Sequence, residues 1–301
     1  MATVIGIDVG GTSIKAARFA ADGTLEEQLA LATPRDGSDI ADAVRTVAVK
    51  LTTADLAAAG VAVPGLVDPE TGAVRYSANL GWRDVPLRAL VSADLGVPVA
   101  VGHDVTAAAL AESEQRDRDL FYVALGTGIG GALVQQGTAV RGSLGMVAEI
   151  GHIPVYPDGE TCTCGQRGCL ECYSSAAGLA RRYAAASGTT GSTAADLTTR
   201  LAADPIAAQV WQDATRALGL ALATVALLLD PALVVLGGGL ADAGQDLLQP
   251  VRAELSARLA WRRAPPLELA ALGPAAGVRG AALLARRLIS TPRPGKAGYP
   301  R

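Results

Sequence analysis

The sequence has few aromatic residues and no excess of basic charge. Aromatic residues make up 4% of the 301 residues while half of the chain is hydrophobic, so any core must be built mainly from Ala, Val and Leu. Lysine and arginine number 26 against 29 acidic residues, which gives a net charge of −3. A nucleic-acid partner, which would require clustered positive charge, gains no support from this balance.

The sequence also lacks an obvious export signal and a long apolar run. Met1 is followed almost at once by an apolar, strand-like segment at residues 4–7, without a basic region ahead of it. The longest apolar stretch, residues 217–229, is shorter than the roughly 20 residues that a bilayer-spanning helix needs. We therefore expect a cytoplasmic protein without a membrane partner. Its length suffices for two domains of ordinary size.

Cysteine is absent from the chain except in one short segment. All four cysteines lie between Cys162 and Cys172. A disulfide framework would spread its cysteines to close loops, whereas such a local cluster indicates a metal site. His152 precedes the cluster and offers a nitrogen ligand. The spacing alone allows an all-cysteine zinc site or a site of three cysteines and one histidine.

Strand-like and helix-like segments alternate along the chain. Residues 3–9 and 13–19 predict two strands of a hairpin around a glycine turn. The Ala-rich residues 39–59 predict a helix that is followed by a strand at 60–63. Further strands are predicted at 97–101, 121–125, 129–134 and 233–236, and further helices at 104–114, 204–229 and 277–289.

The opening of the chain is repeated near its middle. Asp8-Val9-Gly10-Gly11-Thr12-Ser13 and residues 125–130 share one pattern, an apolar strand and then a glycine turn with a threonine. This repetition predicts a duplicated α/β architecture of two lobes with a cleft between them. We call residues 10–12 the first glycine turn, 126–128 the second and 237–239 the third.

The repeat suggests a division into domains. Residues 1–106 are expected to form a small lobe, to which residues 278–289 return. Residues 107–277 are expected to form a large lobe with a zinc-binding insertion at about 149–172. Residues 290–301, rich in proline and glycine, are expected to be a disordered tail.

The three glycine turns point to a nucleotide. Without side chains, backbone N–H groups can approach phosphate oxygens closely and form a nest of donors. Asp8 suits Mg²⁺ directly or through water, and Lys15 offers a countercharge to phosphate. None of the turns matches a P-loop or a Rossmann fingerprint, and each taken alone fits an ordinary tight turn. The residues predicted to contact ATP and its Mg²⁺ are Asp8, Gly10, Gly11, Thr12, Lys15, Thr127, Gly128, Gly238 and Gly239.

Several carboxylates are candidates for sugar chemistry. Asp104 lies between a predicted strand and a predicted helix, where it can accept the proton of a sugar hydroxyl or simply cap the helix. Glu149 and Glu171 flank the cysteine cluster. Each of them can bind a vicinal diol or lie on a solvated surface.

Four motifs together resemble the ROK family, which combines sugar kinases and sugar-responsive repressors within the actin-like ATPase and hexokinase superfamily. They are Asp8-Val9-Gly10-Gly11-Thr12, Glu149-Ile150-Gly151-His152, the cysteine-rich residues 162–171 and Val235-Leu236-Gly237-Gly238-Gly239. The resemblance covers roughly residues 3–287. The repressor branch carries a winged helix-turn-helix ahead of the kinase-like part. Because this chain starts at the first hairpin, the resemblance implies the kinase branch.

The resemblance implies ATP-dependent phosphorylation of the 6-hydroxyl of a hexose, with glucose as the first expectation, by a homodimer or homotetramer. It makes Asp104 the catalytic base. The implied sugar-binding residues are Gly65, Asn79, His103, Asp104, Glu149, His152 and Glu171. The implied ligands of a structural Zn²⁺ are His152, Cys162, Cys164 and Cys169, which leaves Cys172 as a packed thiol.

One position departs from the family pattern. Many members have Asn-Asp followed two positions later by Asn, where this chain has His103, Asp104 and Thr106. Imidazole can also bond to a hydroxyl, so an amino sugar, an N-acetylhexosamine or mannose is an alternative substrate. A sugar-sensing protein without catalysis and a kinase that uses polyphosphate are further alternatives.

Overall fold

A computed structural model describes residues 2–290 and divides them into two compact units. The first unit comprises residues up to Ala111 together with those from Ala275 onward, and the second comprises Glu112–Pro274. The tail expected at residues 290–301 lies outside the described residues, apart from Ser290.

The first unit is built on a five-stranded sheet with the order β3-β2-β1-β4-β8. β2 runs antiparallel to β1 and β3, whereas β1, β4 and β8 are parallel. A smaller antiparallel sheet has the order β5-β6-β7. The elements are β1 (Thr3–Val9), β2 (Ser13–Phe19), β3 (Leu25–Ala32), α1 (Gly37–Lys50), β4 (Leu56–Val63), β5 (Leu66–Val67), β6 (Val74–Ser77), β7 (Trp82–Val85), α2 (Leu87–Leu95), β8 (Val99–His103) and α3 (Asp104–Arg116), which belongs to the second unit from Glu112 onward.

The second unit repeats this plan. Its five-stranded sheet has the order β11-β10-β9-β12-β13, in which β10 is antiparallel to its neighbours and β9, β12 and β13 are parallel. The elements are β9 (Leu120–Leu125), β10 (Ile129–Gln135), β11 (Thr138–Ala139), α4 (Leu170–Ser174), α5 (Ala176–Ser187), α6 (Ala194–Thr199), α7 (Pro205–Leu229), β12 (Val234–Gly237), α8 (Gln245–Arg258) and β13 (Leu267–Leu269). The same strand order in both sheets confirms the predicted duplication.

The chain returns to the first unit with α9 (Ala276–Ser290), which packs on β1 and β4. Glycines at Gly6 and Gly60 make this close approach possible, since a side chain at either position would overlap the backbone of α9. The cores of both units consist mostly of Val, Leu, Ala and Ile, as the low aromatic content predicts.

One sequence-based assignment is wrong. The helix predicted at 39–59 ends at Lys50, and β4 already begins at Leu56, because its alanines are buried in the centre of the sheet despite their helical propensity. The helix predicted at 204–229 is confirmed as α7. The apolar run 217–229 is only part of this 25-residue helix, which by length and composition could cross a membrane, although 56% of its most apolar window is buried inside the protein.

Candidate functional site

In the first unit, several of the residues predicted to bind the nucleotide or the sugar lie at one edge of the sheet. β1, β4 and β8 are parallel, so that their carboxyl ends lie at the same edge. Asp8 lies near the end of β1, Gly65 follows β4, and His103 ends β8. Lys15 faces Asp8 across the β1–β2 hairpin. The topology therefore brings His103 to the same edge as Asp8 and Lys15, although it is distant from them in the sequence.

Asp8 is the most perturbed carboxyl of this edge. Its burial and the nearby charge of Asp104 raise its pKa to about 6, and Lys15 opposes the shift. The carboxylate also lies against Gly277 in the first turn of α9, where a side chain would overlap it. Two carboxylates beside one lysine are an arrangement that suits a divalent cation with a phosphate ligand.

Asp104 begins α3, and its carboxylate remains accessible. Its Oδ1 accepts a hydrogen bond from the N–H of Val105 at 2.8 Å and lies 3.3 Å from Nε2 of His103. The two side chains are 30% and 32% exposed respectively. Asp104 therefore begins the helix and still leaves part of its carboxylate accessible to solvent. Such a carboxylate can accept a proton from a bound hydroxyl.

Gly65 and Asn79 occupy turns next to the small sheet. Gly65 has φ +109°, and a Cβ there would lie 2.9 Å from Cα of Ser77. Only glycine suits this conformation and this approach. Asn79 is exposed in the turn between β6 and β7. Gly65 thus packs on Ser77, which ends β6 two residues before Asn79.

The first glycine turn is held within its own sheet. The N–H of Gly10 donates to the carbonyl of Ser13 at 3.0 Å, and the hydroxyl of Thr33 donates to the carbonyl of Gly10 at 2.6 Å. Gly11 and Thr12 are exposed at the tip. Thr33 was missed by sequence reasoning, because it lies in no motif and approaches the turn only through the pairing of β2 with β3.

The second glycine turn is held by the helices that follow the cysteine cluster. Oε2 of Glu171 accepts a hydrogen bond from the N–H of Ile129 at 2.8 Å, and the N–H of Ala176 donates to the carbonyl of Gly126 at 2.8 Å. Glu171 was considered as a sugar ligand or a surface residue. In the structure one of its oxygens is engaged by this turn.

The third glycine turn packs directly on the end of β9. Gly238 has φ +82°, and a Cβ there would overlap the backbone of Leu125. Around Gly239, by contrast, a Cβ would meet no atom within 4 Å. Gly238 is thus a packing requirement, whereas Gly239 presents open backbone.

Glu149 precedes a one-turn 3₁₀ helix that packs on β10, and His152 is the last residue of that helix. Gly151 lies against Ile129, and Gly131 lies against the carbonyl of Ala148. Ala148 has φ +66°, a strained value for a residue with a side chain. Glu149 is exposed and His152 half-buried. The close packing fixes the positions of both side chains.

The predicted metal ligands converge. The ligand atoms of His152, Cys162, Cys164 and Cys169 all lie within 4.8 Å of one another. Sγ of Cys162 is 4.0 Å from Nδ1 of His152, and the sulfurs of Cys164 and Cys169 are 3.7 Å apart. Zinc–sulfur bonds of about 2.3 Å place tetrahedral sulfurs about 3.8 Å apart, so the donor set fits zinc.

The thiols differ in their ease of ionisation. Burial raises the pKa of Cys162, but the N–H of Cys164 and hydrogen bonds with neighbouring thiols and His152 outweigh it and bring the pKa to about 7. Cys172 is buried outside the converging set, and its burial with the nearby charge of Cys162 raises its pKa to about 11. Cys172 therefore has the character of a packed thiol.

Comparisons with known proteins identify one family. A family model described as ROK family matches residues 4–288. The chain is 35% identical to a glucokinase of Halalkalibacterium halodurans over 94% of each chain. It is 34% identical to a kanosamine kinase of Amycolatopsis mediterranei over 93% of this chain and 95% of that protein.

Among solved structures, a ROK family glucokinase from Streptomyces griseus in complex with glucose and AMPPNP matches with a TM-score of 0.83. The identity is 33%, over 95% of this chain and 99% of that one. This likeness confirms the expected two-lobed, actin-like ATPase fold.

Proposed function

The chain belongs to the ROK family and is a hexose kinase, and from this premise we propose that it transfers the γ-phosphoryl group of ATP to the 6-hydroxyl of glucose. The observation that carries the proposal is the accessible carboxylate of Asp104, placed beside Asp8 and Lys15 at one edge of the first sheet. A base, a site for a divalent cation and a phosphate countercharge are the groups that this reaction needs.

In the proposed mechanism Asp104 is the general base. It accepts the proton of the 6-hydroxyl as the sugar oxygen attacks the γ-phosphorus, and the bond to the bridging oxygen of ADP breaks. Mg²⁺, bound with the nucleotide, would neutralise the phosphate oxygens, and Asp8 would hold it directly or through water. Lys15 would offset the charge that remains.

The nucleotide and the sugar are assigned to the glycine turns and to the polar side chains around them. We propose that the backbone of Gly10, Gly11, Thr12, Thr127, Gly128, Gly238 and Gly239 serves ATP. The proposed sugar ligands are Gly65, Asn79, His103, Glu149, His152 and Glu171. For Glu171 only Oε1 is left for a sugar, because Oε2 is engaged by Ile129.

A structural zinc ion is proposed at His152, Cys162, Cys164 and Cys169. The fit of the interatomic distances to a tetrahedron supports it, as does the lowered pKa of Cys162. Nδ1 of His152 is the ring nitrogen near Cys162, so that zinc at this nitrogen would leave Nε2 to donate to a sugar hydroxyl. We further propose a cytoplasmic homodimer or homotetramer, which light scattering after size exclusion would test.

An amino sugar is the second candidate substrate, and His103 is the residue that favours it. Many family members have Asn at this position, and one of the relatives at 34% identity is a kanosamine kinase. A histidine provides a different donor geometry toward the sugar. His103 therefore gives a physical reason for a substrate preference that differs from that of family members with Asn at this position.

A coupled assay of ADP release tests the function. Glucose, mannose, glucosamine, N-acetylglucosamine and kanosamine would be compared with ATP and with polyphosphate as donors. Glucose with ATP is expected to give the highest kcat/KM. The matched control is 6-deoxyglucose, which lacks the accepting oxygen and should release no ADP above background. No turnover with any hexose would refute catalysis and favour a sugar-sensing role, and turnover of 6-deoxyglucose would refute the 6-hydroxyl as acceptor.

A further inference from the structure

One short segment of the chain forms hydrogen bonds with both ends of the second glycine turn. Oε2 of Glu171 accepts the N–H of Ile129 at one end, and the N–H of Ala176 donates to the carbonyl of Gly126 at the other, each at 2.8 Å. The contact is close, since a Cβ added to Gly128 would lie 2.6 Å from Oε2 of Glu171. We call residues 171–176 the clamp segment.

The clamp segment continues directly from the proposed metal ligands. Cys169 immediately precedes α4, and Glu171 lies in the first turn of that helix. The N–H of Leu170 donates to the carbonyl of Ile153 at 2.9 Å, next to His152. The position of Glu171 is therefore set by the same few residues that bring the thiols and the imidazole together.

The far end of the clamp segment is equally well fixed. The hydroxyl of Ser175 donates to the carbonyl of Glu171 at 2.8 Å and accepts the N–H of Gly178 at 2.9 Å. Ser175 is buried, at 1% exposure, and caps α5. The hydroxyl of Ser175 thus ties the end of the clamp segment both to its first residue and to the start of α5.

The clamp leaves two donors of the turn for a ligand. The N–H of Gly126 donates to the carbonyl of Gly128, and that of Ile129 to Glu171. Within residues 2–290 the N–H groups of Thr127 and Gly128 donate to no protein acceptor. Two adjacent backbone donors at a glycine turn form an anion-binding nest when the turn is held in one conformation.

We propose that Glu171 and Ala176 are positioning residues for the nucleotide phosphates, and that through them the metal loop (residues 162–169) controls nucleotide affinity. The proposal rests on the proposed function, since it takes the nest to bind a phosphate of ATP. It adds a role for the clamp segment that is separate from sugar binding.

The first test replaces Glu171 and measures the Kd of ADP by calorimetry in the absence of sugar. Glu171→Ala removes the acceptor and should weaken ADP binding about three- to tenfold, the effect of one hydrogen bond. Glu171→Gln keeps an acceptor oxygen for Ile129 and should bind ADP as tightly as the wild type. A Glu171→Gln variant that is as weak as Glu171→Ala would overturn the positioning role.

The second test removes the other half of the clamp without touching a sugar or metal ligand. Ala176→Pro deletes the N–H that bonds to Gly126, and proline is tolerated here because Ala176 is the first residue of α5 and follows Ser175 in extended conformation. ADP binding should weaken about three- to tenfold while glucose binding stays unchanged. Ala176→Gly retains the N–H and is the matched control. ADP affinity within twofold of the wild type in both Glu171→Ala and Ala176→Pro would overturn the proposal.

The third test concerns transmission from the metal loop. Stripping the metal with a chelator should weaken ADP binding in the wild type and add little to the loss in Glu171→Ala, because both changes release the same turn. Fully additive losses would overturn the coupling. Wild-type protein that binds no ADP would instead refute the proposed function, and protein without zinc would refute the metal site. The substitutions at Glu171 and Ala176 separate these outcomes.

Discussion

The first and second glycine turns open the same topology in the two units, yet they are stabilised and equipped differently. The first is held by Thr33 of its own sheet and carries Asp8 and Lys15 on its flanking strands. The second has no charged residue between positions 125 and 130 and is held by Glu171 and Ala176 from outside. Duplication has preserved the order of strand, glycine turn and strand, while the hydrogen bond that closes the turn and the side-chain chemistry differ between the copies.

This comparison suggests a division of labour. Charged side chains at the first turn suit a cation and a proton transfer, whereas the second turn presents backbone donors in a fixed conformation. Changes at charged groups of the first unit should therefore act on kcat or on pH dependence. Changes in the second unit should act on ligand binding and stability.

The largest effect is expected at Asp104. Asp104→Asn removes the base but keeps the size and one hydrogen-bond acceptor, so kcat should fall by about 10²–10⁴-fold. The Kd values of glucose and ADP, measured by calorimetry, should stay near those of the wild type. A variant that retains near wild-type turnover would show that Asp104 only begins α3.

Zinc binding should depend on Cys164 and should not depend on Cys172. Cys164→Ser removes a converging ligand and should abolish stoichiometric zinc and lower the melting temperature. Cys172→Ser replaces a thiol outside the converging set and should retain zinc. Elemental analysis and thermal unfolding check both variants. Zinc retained by both, or missing from freshly purified wild type, would contradict the ligand set.

Neighbouring glycines of the third turn should separate stability from binding. Gly238→Val combines a positive φ with backbone overlap at Leu125 and should destabilise the fold by about 2–4 kcal/mol in denaturant unfolding. Gly239→Val meets no atom within 4 Å and should keep its stability. It should raise the KM for ATP more than that for glucose. A larger effect on the glucose KM would contradict the nucleotide assignment.

The sequence was a good guide where a pattern is local. The hairpin strands at 3–9 and 13–19 agree with β1 and β2, since an apolar run and a glycine turn are properties of adjacent residues. The cysteine spacing likewise predicts a converging metal set. The sequence was a poor guide where burial is decided by distant contacts. The alanines of β4 favour a helix in isolation. The hydrogen bonds from Thr33 to the first glycine turn and from Ala176 to the second join residues that no sequence motif connects.

A smaller, pH-dependent effect on the stability of the protein is expected at Asp8. Its folded pKa is raised to about 6, above the ordinary value of 3.8, so the folded state holds a proton more tightly than the unfolded state. Metal-free protein should therefore lose stability as the pH rises from about 4 to about 6. Asp8→Asn should remove this loss and stabilise the protein by about 3 kcal/mol at pH 7, with no gain below pH 4. Thermal unfolding in a chelator checks it, and a pH-independent difference would contradict it.

The smallest effect is expected at His103, where two roles can be separated. Nε2 of His103 lies 3.3 Å from the carboxylate of Asp104, and His103 is also an expected sugar ligand. A histidine nitrogen at this distance can hold the carboxylate of Asp104 in one orientation, whereas the shorter side chain of asparagine would leave that carboxylate free to turn. His103→Asn should therefore lower kcat about two- to tenfold, the size of one hydrogen bond.

The kinetic parameter that changes identifies the role of His103. A lower kcat for every sugar, with the ranking of glucose, mannose and amino sugars unchanged, would assign His103 to Asp104. A changed ranking of these sugars in kcat/KM would assign it to the sugar. His103→Gln is the matched control, because its longer side chain keeps an amide donor within reach of the carboxylate. If His103→Asn alters neither kcat nor the ranking, His103 serves neither the base nor the sugar, and its contact with Asp104 has only a packing role at the end of β8.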